Sequence, residues 1–236
     1  MKKAKLYLIP TTLGETESLS NVFPEYNLKI IHQLKVFIVE KIRTARRFLK
    51  AVKHPVPIEE MQFFELNKHT PEEEIATFLQ AAGKGISIGL ISEAGAPAVA
   101  DPGASIVRLA HQKNIQVVPL VGPNSIIMAL MASGFNGQQF AFHGYLPKEP
   151  SARMRKIKQL EQEVYRKDVT QIFIETPFRN NQMLESLTKT LQTGTLLCVA
   201  ANISLPDETI VTKRVADWKK EKADFNKKPA VFLIYK

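Results

Sequence analysis

The chain of 236 residues contains a single cysteine, Cys198, so no disulfide can form within it. That cysteine lies in an apolar run, residues 196–201, which predicts a buried core residue rather than a nucleophile. No apolar run reaches the roughly 18 residues that a membrane-spanning helix needs. The basic amino terminus leads into a short apolar run that ends at Pro10, which favours a first strand over a signal peptide. We therefore expect a cytoplasmic protein with no membrane association.

Motifs that mark several enzyme classes are also missing. No Gly-x-Gly-x-x-Gly follows the first candidate strand, and there is no Walker phosphate-binding loop. The five histidines are scattered, and no Cys/His cluster has the spacing of a zinc site, so no metal is expected. A Gly-x-Ser-x-Gly nucleophile elbow is absent as well. These absences leave little support for a hydrolase or a metalloenzyme.

What the sequence has in excess is positive charge, with a formal net charge of +9. Two segments concentrate it, residues 29–53 with Glu40 as their only acid and residues 151–167. The excess indicates a polyanionic partner such as a nucleic acid. The alternative interpretation of each segment is the solvated face of a helix.

Short apolar runs alternate with segments of helical periodicity through the first half of the chain. This alternation predicts a mainly parallel sheet with helices on both faces. The candidate strands are residues 5–9, 36–39, 62–65, 86–91 and 116–120, and the candidate helices are residues 24–33, 42–53, 71–82, 104–113 and 124–133.

The second half predicts a mixed sheet, because its strands are closely spaced near the carboxyl terminus. A basic helix capped by Ser151 is expected first, over residues 151–164. We place the domain boundary near residues 121–123, which gives two α/β domains, residues 1–121 and 122–236. The other candidate strands are residues 140–143, 170–175, 196–201, 208–213 and 230–235, with helices at residues 179–191 and 217–222.

The most informative segment is a loop of small residues, 92–103, with the sequence Ser-Glu-Ala-Gly-Ala-Pro-Ala-Val-Ala-Asp-Pro-Gly. It joins the carboxyl end of a buried candidate strand to the start of a helix, which is where ligands bind in open α/β sheets. Small side chains let a ligand approach the backbone closely. Glu93 or Asp101 could accept hydrogen bonds there from a ribose or an amine.

Three further motifs are weaker signals. Residues 121–126, Val-Gly-Pro-Asn-Ser-Ile, link a strand to a helix start, either as a ligand site or as an ordinary turn. Residues 142–148, Phe-His-Gly-Tyr-Leu-Pro-Lys, form either a mobile cationic lip or a plain connection. Glu175 ends a strand shortly before Arg179, which indicates either a structural ion pair or a functional one.

Taken together in this order, the four motifs resemble the tetrapyrrole methylase superfamily of S-adenosylmethionine-dependent methyltransferases. The resemblance is to the branch that methylates a cytidine 2′-hydroxyl in bacterial small-subunit ribosomal RNA. The family patterns are Ser-Asp-Ala-Gly-Thr-Pro-x-x-x-Asp-Pro-Gly, Pro-Gly-Pro-Ser/Cys-Ala, Phe-x-Gly-Phe-Leu-Pro and Glu-Ser-Pro-His-Arg. They correspond here to residues 92–103, 121–126, 142–147 and 175–179.

The resemblance implies two α/β domains with S-adenosylmethionine in the cleft between them, a homodimer, and ribosomal RNA or the small ribosomal subunit as partner. It places the substrate on the amino-terminal domain, and the dimer contacts on the carboxyl-terminal domain. The implied cofactor contacts are Glu93, Ala94, Gly95, Ala96, Pro97, Asn124, Ser125, Ile126, Ala201, Pro229 and Ala230. The implied substrate contacts are Pro10 and Thr11, in a first loop that runs from Pro10 to Glu15, together with Arg43, Tyr145, Lys148 and Arg179. Glu40 and Glu175 are the candidate catalytic bases.

The chain departs from the family pattern mainly on the substrate side. Residues 40–43 read Glu-Lys-Ile-Arg instead of Glu-Asp-Thr-Arg, and residues 201–205 read Ala-Asn-Ile-Ser-Leu instead of Arg-Glu-Leu-Thr-Lys. The loss of an arginine and a lysine removes potential phosphate contacts. Two alternatives to an RNA methyltransferase therefore stay open, a methyltransferase acting on a small molecule such as a tetrapyrrole and a non-catalytic cofactor-binding paralogue.

Overall fold

The computed structural model describes residues 3–14 and 19–236. Glu15, the predicted end of the first loop, lies outside these residues. The chain divides into two compact units, Met1–Asn124 and Ser125–Lys236. Each unit is built on its own five-stranded sheet. The expected α/β fold class is confirmed.

The first unit contains a parallel sheet with the strand order β3-β2-β4-β1-β5. Its strands are β1 (Lys5–Ile9), β2 (Val36–Val39), β3 (Gln62–Glu65), β4 (Ile88–Ile91) and β5 (Gln116–Pro119). Its helices are α1 (Glu25–Ile31), α2 (Ile42–Ala51), α3 (Glu72–Ile75), α4 (Gln80–Gly83) and α5 (Ala104–Gln112).

Alternating side chains of the central strands enter two separate cores. Ile38 and Leu90 pack on one face with residues of α5, whereas Phe37 and Ile91 pack on the other face with Leu49 of α2. Since successive side chains of a strand point to opposite faces, the all-apolar strand β2 is buried on both sides. Helices on both faces of a parallel sheet are therefore required, as predicted.

The second unit has a mixed sheet with the order β6-β7-β10-β8-β9, in which only β6 and β7 run parallel. Its strands are β6 (Phe140–Tyr145), β7 (Thr170–Glu175), β8 (Leu196–Ala201), β9 (Thr209–Arg214) and β10 (Ala230–Tyr235). Its helices are α6 (Ser125–Ser133), α7 (Pro150–Lys167), α8 (Asn180–Thr190) and α9 (Val215–Trp218).

The core of the second unit centres on Phe173 and Phe232, whose rings stack with centroids 5.9 Å apart. Ile157 of α7 and Leu187 of α8 pack onto the same face of the sheet. Cys198 is fully buried, which confirms its prediction as a core residue. Within residues 3–14 and 19–236, no helix combines the length and apolar character that crossing a bilayer requires.

Two helix predictions need correction. The predicted helix over residues 71–82 is two short helices, α3 and α4, because Thr77 and Phe78 make tight hydrogen bonds to the carbonyls three residues earlier. This turn packs Phe78 against Phe64, with ring centroids 4.9 Å apart. The short helix predicted at residues 217–222 is α9, which begins and ends earlier and buries Trp218.

The cap of the basic helix α7 also differs from the prediction. Glu149, not Ser151, is the capping residue, and its carboxylate accepts from the backbone N–H groups of Ser151 at 2.8 Å and Ala152 at 2.6 Å. Those hydrogen bonds lower the pKa of Glu149 to about 2. A carboxylate also complements the positive end of the helix dipole, which a neutral serine hydroxyl does not.

Candidate active site

The small-residue loop, residues 92–103, is joined to the first loop by backbone and side-chain hydrogen bonds. Thr11 and Gly95 exchange two backbone hydrogen bonds of 3.0 and 3.2 Å. The buried Thr11 hydroxyl also donates to the Ser92 carbonyl at 3.2 Å. These contacts form because β1 and β4 are adjacent parallel strands that end at the same edge of the sheet.

A third loop, residues 120–124, closes against the other two. A Cβ added to Gly122 would lie 2.2 Å from the ring of Pro10, and one added to Gly95 would lie 3.3 Å from the Pro123 carbonyl oxygen. Gly95 also has a positive φ of 69°, which favours glycine. The structure thus brings the first loop, the small-residue loop and the Gly-Pro motif together at the carboxyl edge of one sheet.

Three residues with carboxyl side chains follow strands that end at this edge of the sheet. Glu40 follows β2, Glu93 follows β4, and Asp101 lies further along the small-residue loop. The pKa of Asp101 is raised from 3.8 to about 7, chiefly by burial and also by the negative charges of Glu40 and Glu93 and a hydrogen bond with Glu40. The Asp101 carboxyl group therefore keeps its proton up to near neutral pH and can donate it in the hydrogen bond to Glu40.

The Glu93 carboxylate is held by two residues at the start of helix α2. Its carboxylate accepts a 2.7 Å hydrogen bond from the Thr44 hydroxyl, and Lys41 lies 3.9 Å from its second oxygen. The Glu93 side chain is 25% exposed, so it is accessible to a ligand. Arg43, the predicted substrate contact in the first turn of α2, is also exposed.

Replacing Asp101 with asparagine should remove a pH-dependent loss of stability. Because its folded pKa lies above its unfolded value, the wild type loses stability as the pH rises from 3.8 through about 7. We expect Asp101→Asn to melt above the wild type at pH 8 and close to it at pH 5. Solvent screens this half-buried group, so the gain should be about 1 kcal/mol, or roughly 2–4 °C in Tm. Thermal melts across this range test it, and a pH-independent difference would contradict it.

In the second unit, the predicted residues meet at one edge of the mixed sheet. Ala230 of β10 pairs with Glu175 of β7 on one side and with Ala201 of β8 on the other. The Pro229 carbonyl accepts from the Asn202 N–H at 2.9 Å. Three sequence segments that lie far apart in the chain are therefore neighbours here.

Glu175 and Arg179 form the ion pair that their spacing indicates. The Arg179 guanidinium donates to Glu175 through Nε at 3.1 Å and through Nη2, and the Thr176 N–H donates to the same carboxylate oxygen at 2.6 Å. The Glu175 side chain is 1% exposed and that of Arg179 is 25% exposed. The buried acid therefore fixes an arginine that remains accessible from solvent.

The Phe-x-Gly motif forms the end of β6 and the connection to α7. Tyr145 is exposed, whereas the next residue, Leu146, is buried in the core. The carbonyl of Lys148 accepts a 3.0 Å hydrogen bond from Arg153, an α7 residue that is itself only 3% exposed. Arg153 thus fixes the backbone of the predicted cationic lip.

The remaining predicted cofactor residues come from both units of the chain. Ala94, Ala96 and Pro97 belong to the small-residue loop, and Asn124 is the last residue of the first unit. Ser125 and Ile126 open helix α6 at the start of the second unit.

Sequence reasoning missed three residues that support these loops, namely Thr44, Arg153 and Asn180. Asn180, at the start of α8, is fully buried and donates to the carbonyls of Phe225 at 3.1 Å and Lys228 at 2.6 Å, directly before Pro229. An asparagine at a helix start gives no signal beyond ordinary capping. Its role depends on a partner more than 40 residues away, which sequence spacing does not reveal.

Comparison with solved structures shows the fold. The chain matches the methyltransferase CobJ with a TM-score of 0.65 and 15% identity, covering 98% of this chain and 94% of that one. It matches the uroporphyrin-III-C-methyltransferase of Thermus thermophilus with a TM-score of 0.53 and 18% identity, covering 99% and 93% of the two chains. The chain therefore shares the fold of these two methyltransferases.

Comparison with curated sequences shows the family to which the chain belongs. The chain is 31% identical over 234 residues to the ribosomal RNA small subunit methyltransferase I of Pasteurella multocida (strain Pm70), covering 97% of this chain and 78% of that protein. No protein-family model matches the sequence. The chain belongs to the family of the ribosomal RNA small subunit methyltransferase I proteins.

Proposed function

We propose that this protein transfers a methyl group from S-adenosylmethionine to RNA of the small ribosomal subunit, at a cytidine 2′-hydroxyl. The observation that carries the proposal is the meeting of two family motifs, at Gly95 and Gly122, with the first loop at Pro10, at one edge of the sheet. The name of the 31% identical relative supports the substrate class.

The residues at both sheet edges fit a nucleoside cofactor. In the small-residue loop, Ala94 is exposed and Ala96 is half-buried, and the side chains at these positions and at Ala201 and Ala230 are single methyl groups. Such positions let a ligand reach the backbone amide groups. When bound, S-adenosylmethionine supplies an electrophilic methyl group on a sulfonium, with a neutral thioether as leaving group. The residues proposed to hold it are Glu93, Ala94, Gly95, Ala96, Pro97, Asn124, Ser125, Ile126, Ala201, Pro229 and Ala230.

The acceptor hydroxyl must lose its proton as the carbon–oxygen bond forms, so a proton acceptor is needed. Of the two predicted bases, Glu40 is better placed, because Glu175 already accepts from Arg179 and Thr176. Glu40 shares a hydrogen bond with Asp101, whose pKa of about 7 suits proton uptake near neutrality. We assign Glu175 to orienting Arg179, whose guanidinium would hold a phosphate of the RNA.

The charge distribution supports an RNA substrate. Helix α2 exposes Arg43, Arg46 and Lys50, and helix α7 supplies the second basic segment. Such residues neutralise phosphates and make binding salt-dependent. The substrate contacts proposed are Pro10, Thr11, Arg43, Tyr145, Lys148 and Arg179. We further propose that the first unit serves the substrate, that the second completes the cofactor site and forms a homodimer, and that the enzyme acts in the cytoplasm.

A small-molecule acceptor is the second candidate. It is favoured by Ala201 and Leu205, which stand where the family pattern has an arginine and a lysine, and by the fold of a uroporphyrin methyltransferase. The carboxylates of Glu40, Glu93 and Asp101 argue against it, because they would repel the acidic side chains of a tetrapyrrole.

Labelled methyl transfer tests the proposal. Purified protein with labelled S-adenosylmethionine should label small ribosomal subunits, and nucleoside analysis should find the label on 2′-O-methylcytidine. Glu40→Gln should lower kcat by at least about 100-fold, the size expected for a general base, while calorimetry finds cofactor affinity unchanged. Label on a metabolite but not on RNA would support the small-molecule alternative, and cofactor binding without any labelled product would support the non-catalytic one.

A further inference from the structure

A cleft of about 510 Å³ lies in the first unit at the edge of the sheet where the parallel strands begin. The loops of the candidate active site in this unit lie at the opposite edge, where the strands end. A strand rises about 3.3 Å per residue, so the five residues of β1 separate the two edges by roughly 16 Å. The described residues that line the cleft include Ala4, Leu79, Ala82 and Ile115, with Lys3, Lys84 and Lys113 beside them.

Three lysines meet in this cleft because the sheet brings three segments of the chain together. Lys3 comes shortly before β1, Lys84 before β4 and Lys113 before β5. Strand β1 pairs with β4 on one side and with β5 on the other, and all three run parallel and so begin at the same edge. The strand order, rather than proximity in the chain, gathers the three positive charges.

These charges are not neutralised by the described part of the chain. All three lysines are exposed, none forms an ion pair with a described residue, and the described lining contains no acid. Helices α4 and α5 end here, and each helix end contributes at most about half a negative charge, so roughly two positive charges remain. A cleft lined by charge of one sign concentrates its field and attracts polyanions.

The cleft provides charge but few directional hydrogen-bond donors. The two helices end in left-handed residues, Gly85 with a φ of 80° and Asn114 with a φ of 55°. Their N–H groups and those of Ile86 and Ile115 are already used in hydrogen bonds of 2.9–3.1 Å to carbonyls of the helix ends. The described lining has no arginine and no aromatic side chain on which a base could stack. Such a site fits the backbone phosphates of a nucleic acid better than a free nucleotide.

We infer that this cleft binds backbone phosphates of a second RNA segment of the small ribosomal subunit, while the target nucleotide is held at the opposite edge of the sheet. The inference rests on the proposed RNA methyltransferase function and adds a substrate contact remote from the reacting atoms. Lysine ammonium groups neutralise phosphates and release their counterions, so this contact contributes affinity that depends on salt.

Removing the three charges tests the inference. The triple variant Lys3→Gln, Lys84→Gln, Lys113→Gln should bind small ribosomal subunits at least about tenfold more weakly at about 100 mM salt. The slope of log binding constant against log salt concentration should become shallower by about 2–3, or about one for each lost phosphate contact. The kcat at saturating subunits and the Kd for S-adenosylmethionine should stay within about twofold of the wild type, because phosphate contacts position the RNA without touching the reacting groups.

The matched control is the triple variant Lys68→Gln, Lys189→Gln, Lys219→Gln. It loses the same charge from exposed lysines that do not line the cleft. It should keep most of the affinity for subunits and most of the salt dependence. Arginine at positions 3, 84 and 113 keeps the charge and should bind as the wild type does. If the glutamine variant of the cleft melts well below the wild type, Lys84→Gln alone replaces it and should show about one third of the change in slope.

Unchanged subunit binding in the cleft variant, or equal weakening in the cleft and control variants, would overturn the inference. Calorimetry with inorganic pyrophosphate tests a different occupant. Tight binding that the cleft variant loses, with subunit binding unchanged, would assign the cleft to a small anion and not to RNA. Subunit binding is measured without S-adenosylmethionine, so it does not depend on methyl transfer. Absence of RNA labelling by the wild type would refute the proposed function, and the binding comparison would still decide whether the cleft contacts RNA.

Discussion

Replacing Gly122 with alanine is expected to destabilise the first unit by about 3 kcal/mol, equivalent to roughly 6–12 °C in Tm. An added Cβ would lie 2.2 Å from Cγ and 2.7 Å from Cβ of Pro10. A proline ring cannot rotate out of the way, so the two loops must separate. Because displacement of a site by about 1 Å can cost 100-fold, we also expect S-adenosylmethionine affinity to fall at least tenfold, which calorimetry would measure.

Gly83→Ala is the matched control for this substitution. Gly83 lies in the same unit at the end of α4, and an added Cβ there meets no atom within 4 Å. Alanine should therefore be neutral or slightly stabilising at Gly83. Equal melting temperatures and equal cofactor affinities for the two variants would show that the loops at Pro10 and Gly122 are not packed as described.

Removing the Glu175 carboxylate should cost the second unit about 2–4 kcal/mol, because Glu175→Ala leaves the Arg179 guanidinium and the Thr176 N–H without their acceptor. The carboxyl side chain is 1% exposed, so water does not readily replace it. Ala230 lies beside it on the neighbouring strand β10, and Ala201 pairs with Ala230 on the next strand, β8. The lost contact should therefore weaken cofactor binding as well as lower Tm, which thermal melts and calorimetry would show.

Glu175→Gln separates this structural role from proton transfer. A glutamine amide oxygen can still accept from Arg179, so stability and most of kcat should be retained. If Glu175 were the general base, Glu175→Gln would instead lose kcat as completely as Glu175→Ala while keeping its stability. Steady-state kinetics of both variants at saturating RNA would distinguish these outcomes.

Local patterns predicted most of the architecture. The apolar runs at residues 36–39 and 86–91 indicated strands of a parallel sheet with helices on both faces, and the structure confirms that sheet, with two cores and with the second of these strands at Ile88–Ile91. The ion pair between Glu175 and Arg179 was also predictable, because its partners are four residues apart. The periodicity of residues 71–82 predicted one helix and was wrong, because the packing of Phe78 on Phe64 favours a turn within that segment.

Sequence patterns were enough to predict most strands and helices, the position of the small-residue loop at a strand end, and the family. Which side chains meet depends on the folded chain, since the strand order places β4 between β1 and β2 and brings residues more than 40 positions apart into contact. The hydrogen bond from Thr44 to Glu93 and the pairing of Glu40 with Asp101 both arise in this way. Periodicity reports the burial of each segment, whereas the partner of a polar group depends on how separate segments are arranged in the folded sheet.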